Sequence, residues 1–346
     1  MKLSMDMISS TPCLFNSIIV CEPMYPAPPV TNEAAELVAL IDTDISLKDE
    51  LINEFDVPFF SSLEAFFASK RSVDVVNICT PNYLHASQSL FALANNCHVV
   101  VEKPMALSKV DAEKVIHQSL QVNKRVFCVM QNRYSPPSKW LKEIITNNTL
   151  GEVYMVNINC FWNRDSDYYK GGDKNYWKGK KDKDGGTLFT QFSHFIDTMF
   201  WLFGDITNIQ ASFYDFNHSE TTEFEDSGIV QFNFVNGGAG SLNYSTSVYG
   251  QNMESSLSIV GEKGSVKVGG QYMNEIVYCH IDGYEKPELE ETLPPNDYGK
   301  YKGSAANHQF VIQNVVDTLL KNQTVTTNSL EGLKVVEIIE NIYKLK

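Results

Sequence analysis

The sequence predicts an α/β protein in two parts: a doubly wound N-terminal domain with a parallel sheet (residues 1–135), and a C-terminal α+β domain with an open, mostly antiparallel sheet (residues 136–346). Three observations predict this. From about residue 36, short apolar runs alternate with helical segments, a pattern that implies parallel strands joined by right-handed crossovers. After Gly151, strand-like runs follow one another with little helix between them. The same residue is the first glycine of the chain, so all 20 glycines, and the turn chemistry they allow, fall in the last 196 residues.

In order, "ELVALID" (36–42) is a continuous apolar run ending in an acid, as suits a strand buried on both faces. "SLKDELINEF" reads as a helix, "VPFF" as a short extended piece, and "SLEAFFASK" as a second helix. "VDVVNICTP" (73–81), "CHVVVEKP" (97–104) and "RVFCVMQNRY" are further strands, separated by helices over "NYLHASQSLFALANN" and "LSKVDAEKVIHQSLQVN". In the second half, "GEVYMVNINCFW", "TNIQASFYDFN", "SGIVQFNFVNG", "GAGSLNYSTSVY", "SLSIVGEKGSVKV" and "EIVYCHIDG" alternate in strand fashion between Gly and Asn turn signals. "GGTLFTQFSHFIDTMFWLFG", "HQFVIQNVVDTLLKN" and "SLEGLKVVEIIENIYKLK" are helices expected to cover that sheet.

Length and composition (346 residues, 43% hydrophobic, 20% charged) describe a globular chain able to build two cores. A net charge of −14 argues against nucleic acid or an anionic membrane as partner, because such surfaces need excess Lys and Arg. The seven cysteines are scattered without a CxxC pair, so neither a metal cluster nor a disulfide framework is expected, and reduced thiols in a cytoplasm are the simplest reading. No apolar run suggests a membrane span.

"VVVEKPMALS" is the sharpest chemical signal. Three valines carry Glu102, Lys103 and Pro104 to the carboxyl end of a buried parallel strand, where open α/β sheets bind ligands. Pro104 restricts Lys103 to an extended conformation, and their peptide bond is of the type for which the cis form costs little. In "DGGTLFTQFSHFID", Thr190, His194 and Asp197 are spaced i, i+4, i+7, which on one helix aligns hydroxyl, imidazole and carboxylate. "CTPNYLHA" offers Thr80, Pro81, Asn82 and His85 where a strand turns into a helix, a place suited to phosphate or ribose. "QNRYSPP" puts Asn132 and Arg133 after a strand, and Arg suits a carboxylate or phosphate. The stretch 162–186 mixes aromatics with charges, as sugar-binding loops do; a solvated surface loop is the slightly preferred reading of the residues alone.

Together, "ELVALIDTD", "VDVVNICTPNYLHA", "HVVVEKPMALS", "QNRYSP", "LGEVYMV", "GGTLFTQFSHFIDTMFWLFGDI" and "NSLEGLKVVEIIENIY" resemble the glucose–fructose oxidoreductase / inositol dehydrogenase (Gfo/Idh/MocA) family, in family order from about residue 34 to the C-terminus. The resemblance implies a Rossmann domain, here with a degenerate first β-α unit, and NAD(P)-linked oxidation or reduction of a sugar, polyol or sugar nucleotide. It implies Lys103 beside the nicotinamide and the reacting hydroxyl, and His194 in proton transfer. Thr190 stands where many members carry Asp or Asn. The cofactor residues implied are Asp42, Thr80, Pro81, Asn82, His85, Glu102 and Lys103. Asp42 sits where an acid bonds the adenosine ribose, which favours NAD over NADP because its charge opposes a 2′-phosphate. The middle region looks most like the branch acting on nucleotide-linked N-acetyl sugars or their uronic acids, in polysaccharide biosynthesis. Asn132, Arg133, Arg164, Tyr169, Trp177, Thr190 and Gln191 are its substrate-binding candidates, with no metal. A homodimer or homotetramer through the C-terminal sheet is also implied.

The family opens with a strand, a Gly-rich turn and a helix, whereas here Pro12, Pro23, Pro26, Pro28 and Pro29 interrupt a glycine-free segment. One threading takes "KLSMDMIS" as the strand, Ser10 or Thr11 as cap, and "CLFNSIIVCE" as the helix. Another takes "NSIIVCE" as the strand and leaves no helix. On a third reading, residues 1 to about 31 are foreign to the family text, which a first strand packed at the sheet centre would overturn. Two rival functions stand beside the dehydrogenase. One is a glycoside hydrolase that uses a retained NAD; the other is a sugar-binding protein that has lost its cofactor.

Overall fold

The computed structural model describes residues 15–21, as backbone, together with 35–170 and 176–346. The N-terminal sheet contains β1 (Phe15–Cys21), β2 (Ala35–Asp42), β3 (Phe59–Phe60), β4 (Val75–Cys79), β5 (His98–Val101) and β6 (Val126–Cys128). They are all parallel, in the order β3-β2-β1-β4-β5-β6. Order reverses beside β1, and that is the place where doubly wound sheets form a crevice at their carboxyl edge. β1 pairs with β2 on one side and β4 on the other. This corrects the threading that made residues 13–22 a helix, and it counts against the reading that the N-terminal segment is foreign. The connection 22–34, which would hold any phosphate turn, lies outside the described residues.

Helices α1 (Lys48–Phe55), α2 (Leu63–Ala68), α3 (His85–Ala94) and α4 (Lys109–Gln121) flank the sheet. Their starts follow local chemistry. The Ser62 hydroxyl accepts from Ala65 N–H at α2 and the Ser108 hydroxyl from Asp111 N–H at α4, each supplying a partner to an otherwise unpaired first-turn donor. The "RVFCVMQNRY" strand stops at Cys128 and gives way to a short turn over Gln131–Tyr134; α5 (Pro136–Thr146) then begins on a proline that has no N–H to satisfy.

The second sheet has the order β13-β12-β11-β7-β10-β9-β8. Its strands are β7 (Val153–Phe161), β8 (Ile206–Tyr214), β9 (Ser227–Phe234), β10 (Ala239–Ser245), β11 (Glu254–Gly261), β12 (Gly264–Gly269) and β13 (Glu275–Ile281). Every pairing is antiparallel except β7 with β10. Between β7 and β8 run α6 (Ser166–Lys170), α7 (Lys181–Asp184), α8 (Thr187–Thr190) and α9 (Ser193–Phe203); after β13 come the hairpin β14 (Pro295–Tyr298) and β15 (Tyr301–Ala305), then α10 (His308–Lys321) and α11 (Ser329–Tyr343).

Two expectations change here. The helix read over 185–204 is broken into α8 and α9 around Gln191–Phe192. And α10 covers the N-terminal sheet rather than the second one: Val311, Val315 and Val316 pack with Val75, Val100, Phe127 and Val129. Both faces of β4 to β6 are therefore buried, which is why those strands are apolar but for Asn77 and His98. Most of the other buried apolar side chains form one continuous core, from Ile78 and Val101 through Phe192 and Phe195 to Ile158 and Leu257. That continuity fixes the two sheets against each other and places the cleft between them.

Candidate active site

A cavity of about 480 Å³ opens at the carboxyl ends of β4 and β5, and its far wall comes from β7, α6, the α8–α9 break and the β14–β15 hairpin. Of the sequence candidates, Thr80, Asn82, His85, Glu102, Lys103, Arg164, Thr190, Gln191 and His194 line it. Pro81, Asn132, Arg133, Tyr169 and Trp177 do not.

Lys103 lies two residues beyond β5, and its bond to Pro104 is cis. Its ammonium donates to the Thr190 carbonyl at 2.6 Å. Burial pushes this lysine below its ordinary pKa, against the pull of Glu102, Tyr168 and Asp184. His194, on the first turn of α9, is buried, and its Nδ1 has no partner among the described residues. Burial, then the charges of Lys103 and His308, holds its pKa well below 6.5, so the ring is neutral and can accept a proton. An ammonium beside a neutral imidazole is suited to taking a proton from a hydroxyl and stabilising the oxygen left behind.

The other candidates differ in how free they are. Glu102 faces His308 at 3.3 Å, and that imidazole with Lys103 outweighs burial and holds the carboxylate low. Asn82 spends both amide protons on the Asp184 carbonyl and the Thr190 hydroxyl. The Thr80 hydroxyl donates to Gln88. His85 has both ring nitrogens 2.6 Å from carbonyl oxygens, of Pro104 and Thr80, so it sits between the turns that follow β4 and β5 with its one neutral-ring N–H taken up by a carbonyl instead of offered to a ligand. Burial lowers its pKa in spite of those carbonyls.

Arg133 is not an anion receptor here. It makes two hydrogen bonds to Asp197, Nε to Oδ2 at 2.8 Å and Nη2 to Oδ1 at 2.5 Å, and its Nη1 reaches Glu331 and the Thr326 carbonyl. Asp197 thus turns away from His194, which corrects the three-residue alignment expected on one helix. Asn132 is buried beside it. Tyr169 and Trp177 pack inward, while their neighbours Tyr168, Tyr176 and Lys178 face the cavity. Tyr168 is held between cations, with Lys178 Nζ 3.9 Å and the Arg164 guanidinium 5.2 Å from its ring centre. Burial raises its phenol, but Lys178, Arg164 and the hydrogen bond from Gln191 outweigh this and hold it below its ordinary value.

Sequence reasoning missed Tyr168, Lys178, Asp184, Tyr301 and His308. One signal was present: "YGKY" at 298–301 is a two-residue turn between tyrosines, with Gly299 at φ 75°, and marks the hairpin that brings Tyr301 to the cavity.

The residues fit the nicotinamide end of a dinucleotide. Gln131 Oε1 and His194 Nδ1 are buried, and unpartnered among the described residues, on a cavity at the sheet's carboxyl edge. At the far end of that edge Asp42 closes β2, accepting from Asp44 N–H at 2.8 Å, with burial raising its carboxyl to about 6. Such an arrangement defines a dinucleotide-dependent oxidoreductase. Residues 142–345 match the oxidoreductase family C-terminal alpha/beta domain, and residues 23–130 match the same family's NAD-binding Rossmann fold. The chain belongs to this Gfo/Idh/MocA oxidoreductase family.

Among solved structures, the chain is similar to the WlbA dehydrogenase of Bordetella pertussis in complex with NADH and UDP-GlcNAcA, at 27% identity and TM-score 0.80 over 96% of both chains. The WlbA dehydrogenase of Chromobacterium violaceum, with the same two ligands, matches at 28% identity and TM-score 0.82 over 98% of this chain and 96% of that one. The D-glucoside 3-dehydrogenase of Escherichia coli is 29% identical over 127 residues, 36% of each chain. Among the described residues no helix is long and apolar enough to cross a membrane.

Proposed function

We propose that this protein is an NAD-dependent dehydrogenase that oxidises a hydroxyl of a nucleotide-linked sugar, with residues near 135 dividing the cofactor domain from the substrate domain. The observation that carries the reading is the pairing of the Lys103 ammonium with the neutral His194 imidazole on one cavity. NAD, when bound, supplies the hydride acceptor. Thr80, Glu102 and Gln131 would hold its nicotinamide end, and Asp42 its adenosine ribose. His194 accepts the proton of the substrate hydroxyl, and Lys103 donates a hydrogen bond to the oxygen as its negative charge grows. Burial of both groups keeps that charge from being screened by water. Arg164 and Lys178 place two cations on the opposite wall, where the carboxylates of Asp167 and Asp297 are taken up by Lys300 and Lys302; this suits an acidic sugar or a diphosphate, in keeping with the UDP-GlcNAcA held by the two WlbA dehydrogenases. Nucleotide-linked sugars are made and used in the cytoplasm for polysaccharide biosynthesis, where we place this protein. Its open sheet face, with Met155, Ile229 and Val260 exposed, is where copies would join as a dimer or tetramer, a point light scattering would decide.

The test is NADH formation with UDP-GlcNAcA. The wild type is expected to give one NADH per sugar oxidised, and Lys103→Ala to lose about 10²-fold or more in kcat. Unchanged turnover in Lys103→Ala would refute the mechanism. Phenol release from an aryl glycoside without net NADH would move the assignment to a hydrolase. Folded protein that takes up no NADH would be a binding protein.

A further inference from the structure

Behind Lys103 the chain reverses sharply. Asp184 ends α7, Gly185 and Gly186 follow at φ 91° and 122°, and Thr190, six residues after Asp184, returns to lie against the Asp184 side chain. A Cβ on Gly186 would stand 2.5 Å from the Tyr343 hydroxyl, so the reversal has no room for a larger residue. The Asp184 carboxyl is fully enclosed: Gly179 N–H donates to Oδ2 at 2.8 Å, and the Thr190 hydroxyl meets Oδ1 in a short contact. Asn82 Nδ2 closes the ring, donating at 2.8 Å both to the Asp184 carbonyl and to Thr190 Oγ1. Thr190 in turn presents its carbonyl to Lys103 Nζ.

Counting donors shows what this ring does. Thr190 has one hydroxyl proton and two acceptors in reach, Oδ1 and the main-chain carbonyl of Asp184, the latter at 3.1 Å. With Asp184 ionised, the hydroxyl donates to Oδ1. With Asp184 protonated, the carboxyl donates to Thr190 and the hydroxyl turns to the carbonyl. Both states satisfy every group, so the ring survives a change of charge at Asp184.

We propose that Asp184 is a positioning residue for the reaction: through Thr190 it holds the Lys103 ammonium on the cavity wall, and it supplies that ammonium with a countercharge one residue removed. The proposal rests on Lys103 facing the reacting oxygen. It also explains how a chain with threonine at 190 keeps a carboxylate near its lysine. Other charged or titratable groups around Lys103 are Glu102 on its own strand end, Tyr168 from α6, Arg164 beside β7, His194 from α9 and His85 from α3. Glu102 and Tyr168 add to the countercharge and Arg164 opposes it. Burial holds Asp184 at about 6, so above that pH it is ionised and supports the lysine's proton.

The test follows the lysine directly, by NMR titration of protein labelled with ¹³C at lysine Cε, the Lys103 signal being assigned from its loss in Lys103→Arg. In Asp184→Asn the Lys103 midpoint should fall by about one pH unit, kcat should drop about tenfold with little change in KM, and the alkaline limb of kcat should move down with the midpoint. Thr190→Ser should restore wild-type behaviour, and Thr190→Val should lose kcat. A folded Asp184→Asn protein whose Lys103 titrates as in the wild type overturns the proposal. Should that variant fail to fold, Thr190→Val with wild-type kcat and an unmoved Lys103 midpoint overturns it instead. A midpoint that moves in a protein that oxidises no sugar nucleotide would uphold the positioning role while refuting the dehydrogenase reading.

Discussion

Arg133 and Arg164 are both buried, at 1% and 3% exposure, and each follows a strand. Their charges meet opposite fates. Arg133 is bound by Asp197 and Glu331, which together raise its pKa against the effect of burial, so its charge is cancelled inside the core. Arg164 is held by neutral acceptors: the Gln191 and Asn252 side chains and the carbonyls of Asn163 and Lys302. The rings of Trp162, Tyr168 and Tyr301 lie within 5.7 Å of its guanidinium carbon. Among the described residues no carboxylate pairs with it, and it lines the cavity. Geometry fixes both side chains; only one is left with charge to offer a ligand.

The largest effect is expected from breaking the first arrangement. Arg133→Met leaves Asp197 ionisable and unpartnered in the core, and should cost about 3–5 kcal/mol, read as the shift of a urea unfolding midpoint. Arg133→Met with Asp197→Leu should recover most of that loss, because no buried charge then remains. A single variant within about 1 kcal/mol of wild type would show that the pair is not structural, and the contrast with Arg164 would collapse.

Arg164→Gln sharpens the other side. KM for UDP-GlcNAcA should rise about 10- to 100-fold, equal to about 1.4–2.8 kcal/mol of binding, while kcat changes by only a few-fold. A nucleotide sugar without the carboxylate should be affected less. An equal loss on charged and uncharged substrates would mean that Arg164 shapes the wall without recognising the acid.

The contrast also marks where the sequence was readable. The strands and the lysine were legible because they depend on local pattern: β4 and β5 are mostly apolar, and Pro104 follows Lys103 just past the end of β5. The fate of Arg133 was not, because Asp197 lies 64 residues away and Glu331 198 away, and nothing near Arg133 announces them. Tyr168 and Tyr169 are adjacent and identical; which one faces the cavity is decided by the phase of a five-residue helix, too short to show periodicity. Asp184 was hidden similarly, since the glycine reversal that returns Thr190 to it is a backbone event. The helix read over 185–204 looked continuous because its apolar residues keep helical spacing across the break at Gln191. That break aims Gln191 at both Arg164 and Tyr168.

The smallest effect concerns what stands behind Arg164. His218 Nε2 lies 2.5 Å from the Arg164 carbonyl and Nδ1 lies 3.1 Å from Asp226 Oδ2, two acceptors that only the imidazolium can satisfy together. Burial opposes the charge, yet Asp226 and the Arg164 carbonyl prevail and raise the pKa of His218 above 6.5. A raised histidine stabilises the fold fully below its unfolded value, about 6.5, and loses that stabilisation as pH climbs through the folded value. Burial likewise opposes ionisation of Asp226, but His218, the Asn217 amide and Ser227 hold its carboxyl well below the usual range. Its contribution is present above about pH 4 and fades as acid is added. The pair therefore serves best between those limits. Replacing His218 with Gln should lower stability by about 1.5 kcal/mol near pH 6, with the gap narrowing toward pH 9. It should also raise KM for UDP-GlcNAcA a few-fold, because the backbone that carries Arg164 loses its anchor. Melting curves of the two proteins that run parallel across this range would show that His218 is neutral throughout, and that Arg164 is held by its own hydrogen bonds alone.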